Sequence, residues 1–185
     1  EAAQTHSGVI VGSDDVFDSA LRRAGAVRVR SFVALFSAAK CLASRYRPVG
    51  KRLAIVTNGG GPGVLAADSV IEILLDLGRL SPESVAALKP QLPALASLAD
   101  LIDLSEEATP EHYRLAIDAA SRDRQIDGVL VIHSPKHGVD PAEIARAVAD
   151  VKRQMSKPLL SCWMGDATVV PARGVLLEAS IPNFR

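Results

Sequence analysis

The stretch from Leu53 to Asp68, LAIVTNGGGPGVLAAD, constrains this chain more than any other. The apolar run Leu53 to Val56 reads as a buried strand, a glycine-dense turn follows from Asn58 to Gly63, and the apolar-periodic segment from Pro62 to Leu77 reads as a helix. A strand that feeds small residues into a helix start leaves backbone N–H groups pointing outward, with the helix dipole behind them, which is an anion site in outline. The run lacks the Lys-Ser/Thr of a P-loop, and glycines 59, 60, 61 and 63 do not give GxGxxG spacing. Local physics therefore leaves two readings open, a phosphate cradle and a tight strand-to-helix turn without a ligand.

At 185 residues with 48% hydrophobic content, the chain is able to bury one substantial core. Lys plus Arg and Asp plus Glu balance at 21 each, without a basic block, so the electrostatic footprint of a nucleic-acid or acidic-membrane binder is missing. The two cysteines, Cys41 and Cys162, lie far apart without a CxxC partner. That pattern argues against a disulfide framework or a metal site and suits the cytoplasm. The most apolar stretch, Val64 to Leu77, is broken by Asp68, Glu72 and Asp76, so no membrane span is expected. The chain starts at Glu1 and runs at once into motif-like sequence, which suggests a piece of a longer polypeptide.

Residues 1–13, EAAQTHSGVIVGS, read as a mobile loop carrying His6. Ser13 caps a helix from Asp14 to Ala24 with Gly25 as its stop. Ala26 to Arg30 reads as a short strand or linker. Ser31 caps a second helix with Phe32, Leu35, Phe36, Ala39, Leu42, Ala43 and Tyr46 on its apolar face, ended by Pro48 and Gly50. Beyond the central unit, Ser81 with Pro82 restarts a short helix that Pro90 and Pro93 terminate. Leu95 to Leu104 fits a helix or a loop running into a short strand ending at Asp103. Helices from Pro110 to about Arg122 (Tyr113, Ala116, Ile117 and Ala120 inward), from Pro141 (Ile144, Ala147, Val148, Val151 and Met155 on one face) and from Ala167 to Ala179 alternate with strands Ile126–His133 and Pro158–Cys162. Strands alternating with helices specify a parallel sheet covered on both faces, flavodoxin-like or Rossmann-like. Ligands in such sheets sit at the carboxyl ends of the strands, which places Thr57 to Gly63, His133 to Gly138 and Trp163 to Asp166 along one edge.

THSGVIVGSDDVFDSALRRAG, then LAIVTNGGGPGVLAAD, then Ile102-Asp103-Leu104, then KPLLSCWMG together resemble the NDP-forming acyl-CoA synthetases, relatives of succinyl-CoA ligase. The resemblance implies an α/β fold, a flavodoxin-like three-layer (αβα) parallel sheet of succinyl-CoA-ligase-like type. Residues 1–28 would be the phosphohistidine loop and last helix of a preceding domain, and residues 29–185 the domain with the glycine-rich phosphate loop. The implied reaction interconverts acyl-CoA, ADP and phosphate with acid, CoA and ATP, using magnesium, through a phosphorylated histidine. THSG matches the family's SHTG, or GHAG in succinyl-CoA ligase, and makes His6 the phosphoryl carrier. The NGAG-like helix start maps to Asn58, Gly59, Gly60 and Gly61 as phosphate binders, which favours the cradle reading. Asp103 and Leu104 keep the end of the family's NPVDL while its Asn-Pro is lost, and Asp103 either supports the glycine loop or merely caps.

The same resemblance implies partner domains or subunits for CoA binding and ATP-grasp, homo- or hetero-oligomeric assembly, no tightly held cofactor and no activity for these residues alone. THSGVIVGSDDVFD and SCWMG also resemble bacterial fusions to GNAT-type lysine acetyltransferases, which implies an alternative, a degenerate regulatory domain sensing acyl-CoA. An FMN carrier is disfavoured by the scarcity of tyrosine and tryptophan and by the missing Thr/Ser-rich phosphate loop. Of the remaining candidates, His133 and His137 read as satisfied or solvent-facing and His112 as surface. Lys136 reads as a solvated lysine or a phosphate counter-charge, Trp163 and Met164 as packing or interdomain residues, and Cys162 as a small buried hydrophobe.

Overall fold

A computed structural model describes residues 12–44 and 50–184. The chain divides into two units, residues 1–43 and 44–185. His6 and Tyr46 lie outside the described residues.

The first unit contributes α1 (Asp14–Arg23) and α2 (Phe32–Ala43), joined by a linker rather than a strand over Ala26 to Arg30. Ser13 stands at the N-cap position in extended geometry but its hydroxyl makes no capping bond. Asp14 serves another partner there: both its oxygens accept from the Arg28 guanidinium, at 2.6 and 3.1 Å. Gly25, at φ +73°, closes α1, with the Gly25 and Ala26 amides donating to Arg22 and Leu21. Ser31 caps α2 as expected, its Oγ accepting from Ala34 N at 3.1 Å. Periodicity located both helices, yet neither buries a residue, and Phe32, Phe36 and Leu42 stand exposed on α2.

The second unit is an α/β sandwich in three layers. In chain order it comprises β1 (Arg52–Thr57), α3 (Gly60–Glu72), β2 (Asp76–Leu77), α4 (Pro82–Leu88), β3 (Ile102–Asp103), α5 (Pro110–Arg122), β4 (Gly128–His133), α6 (Pro141–Lys152), β5 (Leu159–Trp163), α7 (Val170–Glu178) and β6 (Asn183–Phe184). All strand pairings are parallel, in the order β2-β1-β4-β5-β6. β3 shares the outer side of β1 with β2: Arg52 and Leu53 pair with Asp76 and Leu77, while Val56 and Thr57 pair with Ile102 and Asp103.

Side chains alternate across β1 and β4. Ala54, Val56, Val129 and Val131 join the main core with Tyr113, Ile117, Ile144, Val148 and Leu176 from α5, α6 and α7. Ile55 and Ile132 face the other way, against Val70 of α3. Burying each such aliphatic side chain contributes roughly 1.5–3 kcal/mol, so the α5–α7 face carries most of the hydrophobic stabilisation.

Most expected elements are present, and Leu95 to Leu104 resolves as a loop into β3. The central and last helices differ most. The central helix begins at Gly60, inside the glycine run, and stops at Glu72 rather than Leu77. Leu74 takes the left-handed conformation at φ +60°, and Leu74 N and Leu75 N donate to Ile71 O and Val70 O, the same terminating geometry that Gly25 gives α1. The stop is invisible in sequence because a leucine occupies the position glycine normally takes; it frees Asp76 and Leu77 to pair with β1. The last helix opens as a 3-10 turn, Ala167–Val169, and β6 follows it without having been foreseen, two residues being too short for a periodicity signal.

Candidate functional site

The carboxyl ends of β1, β4 and β5 meet at one edge, as the alternation of strands and helices requires. Thr57 ends β1 with no exposure, and its Oγ1 turns back on the chain, accepting from Gly59 N and donating to Gly59 O, each at 3.0 Å. This hydroxyl makes the turn tight enough for α3 to start at Gly60. Gly59 holds the N-cap position in extended geometry, and Gly63 N donates to Gly59 O at 3.1 Å. No side chain caps α3, and Pro62 has no N–H, so the amides of Gly60 and Gly61 are the ones left facing outward. A Cβ on Gly61 would meet nothing within 4 Å, and one on Gly60 only the Asp103 carboxylate, at 3.5 Å. Gly63, by contrast, is a packing glycine, where a Cβ would lie 2.9 Å from Thr57 Cγ2 and 3.0 Å from Leu101 Cδ1.

Asn58 joins the turn to the end of β4. It is 3% exposed; its Nδ2 donates to Ser134 O at 2.9 Å and its Oδ1 accepts from Ser134 N at 2.8 Å. The Ser134 hydroxyl in turn reaches Met164 Sδ at 3.5 Å, and Met164 N donates to His133 O, tying in the end of β5. Asp103 lies beside Gly60 and takes Ser105 N on Oδ1 at 3.0 Å, an Asx-type turn that holds Ser105 at φ +65°. The structure thus brings Asn58, Gly59, Gly60, Gly61 and Asp103 together. Thr57 and Ser134 complete the arrangement and were not singled out from sequence; the signal for Ser134 was its place immediately after β4, at the carboxyl edge of the sheet.

Under this edge lies a buried polar layer. His133 is 0% exposed, its Nδ1 3.2 Å from the Tyr113 hydroxyl and its ring tilted on Trp163 at 5.4 Å between centroids. Burial holds the imidazole neutral and lowers its pKa to about 4, and burial likewise pushes the Tyr113 phenol up, with the Asp103 charge adding to it. Trp163 is wholly buried and its Nε1 donates to Pro141 O, a packing role. Lys136 is ion-paired with Glu106 at 2.8 Å across the neighbouring loops, which accounts for it without a phosphate. His112 does more than sit at the surface: its Nδ1 accepts from Thr109 N in a capping box at the start of α5. Cys162 is half-buried, and its thiol is pushed up by burial against an opposing influence from Arg173, a cationic neighbour that sequence had not suggested. Among the described residues no group of three or more acidic, histidine or cysteine side chains is placed to hold a metal ion.

A three-layer parallel sandwich whose first long strand ends in an uncapped glycine helix start, braced by neighbouring strand ends, defines a flavodoxin-like α/β domain. Within that class the chain belongs to the Ligase-CoA domain family, whose profile matches residues 53–185; residues 1–42 match the succinyl-CoA ligase like flavodoxin domain. It is 33% identical over 184 residues to acetate–CoA ligase [ADP-forming] I of Archaeoglobus fulgidus, covering all of this chain and 26% of that protein. It is 29% identical over 189 residues to the alpha subunit of acetate–CoA ligase [ADP-forming] II of Pyrococcus furiosus, covering 99% of this chain and 41% of the subunit. Among solved structures, the dinucleotide forming acetyl-coenzyme A synthetase 1 of Ca. Korarchaeum cryptofilum in complex with phosphate and ADP superposes with a TM-score of 0.90 at 29% identity. That match covers 99% of this chain and 40% of the other. The chain thus spans between about a quarter and two-fifths of the length of these relatives. The resemblance read from the motifs, and the flavodoxin-like α/β class, are borne out.

Proposed function

We propose that this chain is the succinyl-CoA-ligase-like part of an ADP-forming acyl-CoA synthetase that interconverts acyl-CoA, ADP and phosphate with acid, CoA and ATP. The observation that carries the proposal is the opening of α3: the outward amides of Gly60 and Gly61 at the carboxyl edge, with Asn58 and Gly59 bracing the turn. A phosphoryl group needs donors rather than water, and glycine amides at a helix start provide them without a competing side chain. His6 is the phosphoryl carrier in this reading, since a neutral imidazole is a competent nucleophile at neutral pH. Asp103, beside Gly60, supports the loop through its turn with Ser105.

In the same reading residues 1–28 close a preceding domain, and the carrier histidine visits CoA-binding and ATP-grasp domains or subunits supplied by the rest of a cytoplasmic enzyme. Magnesium enters with the nucleotide. The Korarchaeum synthetase, solved with phosphate and ADP, supports a phosphate-handling role for its counterpart here.

The test is phosphorylation of the full-length protein with radiolabelled ATP and magnesium, beside a His6→Ala control. The expected result is an acid-labile, base-stable label that the control lacks. A folded protein that binds acyl-CoA yet takes no label would overturn the synthetase reading.

A further inference from the structure

We infer that the Ser134 hydroxyl is a third phosphate donor at the opening of α3, and that Asn58 is the positioning residue that holds it there. The inference rests on the phosphate reading above and changes the part Asn58 plays in it.

Asn58 is buried and its amide is engaged at both ends, Nδ2 on Ser134 O and Oδ1 on Ser134 N. A side chain spent in this way fixes a neighbouring peptide instead of reaching a ligand. What it fixes is the residue after β4, 76 positions away in sequence. With its backbone pinned, Ser134 directs its hydroxyl at Gly59: a Cβ on that glycine would come within 2.9 Å of Ser134 Oγ, so the approach is open only because residue 59 has no side chain.

The hydroxyl is accessible, and the acceptor it has is poor. Ser134 is half-buried, and Oγ donates to the thioether of Met164 at 3.5 Å. A thioether sulfur is a weak acceptor, whereas a phosphoryl oxygen gives a charge-assisted bond roughly twice as strong as a neutral one. Exchanging sulfur for phosphoryl oxygen therefore gains a strong bond at the loss of a weak one. With the amides of Gly60 and Gly61, the serine offers one donor for each free oxygen of a phosphoryl group. The glycine motif does not reveal it, because Ser134 follows a different strand.

The experiment titrates inorganic phosphate into the full-length protein by calorimetry, with circular dichroism confirming the fold of each variant. Binding is counted as the component that Gly60→Asp removes, which subtracts phosphate held elsewhere in the protein. The expected result is saturable binding that weakens about tenfold or more in S134A and returns to within about threefold of the parent in S134T. N58A weakens binding by a similar factor, and the S134A/N58A double variant is no worse than either alone; a merely structural asparagine would add its own loss. Met164→Leu binds phosphate at least as tightly as the parent. Unchanged affinity in S134A overturns this inference and leaves the phosphate reading standing; no Gly60-dependent binding in the parent overturns both.

Discussion

The two ends of the central sheet treat polar groups in opposite ways. At the amino end no buried polar side chain among the described residues lacks a partner. Asp127, just before β4, accepts from Arg52 N, Nε and Nη2 at 3.0, 2.8 and 2.8 Å, and the guanidinium beside it holds its carboxyl well below the usual range. Asp123 accepts from Ser81 N and Gln125 N, and Lys157 donates to the carbonyls of Ala120 and Asp123. At the carboxyl end capacity is left over. His133 Nε2 and Ser105 Oγ are buried without a partner, Ser134 rests its proton on sulfur, and the first amides of α3 have no cap. Saturated polar groups fasten a fold; unsaturated ones at an accessible edge are available to a ligand.

The largest expected effect tests whether the buried layer of the carboxyl end is nonetheless structural. His133 has a folded-state pKa near 4 against 6.5 for the free side chain, so between those values the unfolded chain binds a proton that the folded chain refuses. Stability then falls as pH drops from about 6.5 to 4, by about 3 kcal/mol in all, and denaturant midpoints at pH 7, 5.5 and 4.5 should trace the loss. His133→Asn should flatten that limb; an equally steep limb in the variant would assign it to other groups. Next comes Gly63→Val, which drives a side chain into Thr57 and Leu101 and should cost about 2 kcal/mol in chemical denaturation. A neutral result there would mean that α3 and β1 have slack the structure does not show.

Gly60→Asp separates the two ends most cleanly. It places a second carboxylate beside Asp103 at a helix start, so phosphate affinity should fall about tenfold or more while stability stays within about 0.5 kcal/mol. If thermal melts of the variant still rise with phosphate as in the parent, the opening of α3 is not the anion site. The smallest effect is expected at the amino end. Asp127→Asn weakens a pair whose arginine is 43% exposed, so the denaturation midpoint should drop modestly, with no change in phosphate response. A loss of phosphate binding in that variant would erase the distinction between the ends.

The sheet and its carboxyl edge were legible because their signals are local. Tyr113, Ala116, Ile117 and Ala120 face inward at helical spacing and are all fully buried, and the apolar run before the glycines is β1. What escaped depends on contacts distant in sequence or on exceptions to residue preference. Leu74 and Ser180 end their helices in a conformation usually left to glycine, so the expected stop for α3 came five residues late and β2 was absorbed into it. The Asn58–Ser134 link joins the residues that follow two different strands, and no reading of the glycine run alone reveals that the asparagine amide is already engaged. The helical faces of α1 and α2 show the converse limit: periodicity specifies a helix without specifying what covers it.

The pairing of β1 carries a consequence beyond the site. Two strands of two residues each, β2 and β3, divide its outer side. An open margin is a template on which foreign chains polymerise, and the hazard grows with the length of uninterrupted ladder on offer. Here the long, apolar strands β1, β4 and β5 are all interior, and what covers the outer side of β1 is too short to recruit another strand. A domain with such hydrophobic strands thus protects β1 from intermolecular β-association by how it covers that margin, with Arg52, the first residue of β1, carrying a charge that is already paired with Asp127.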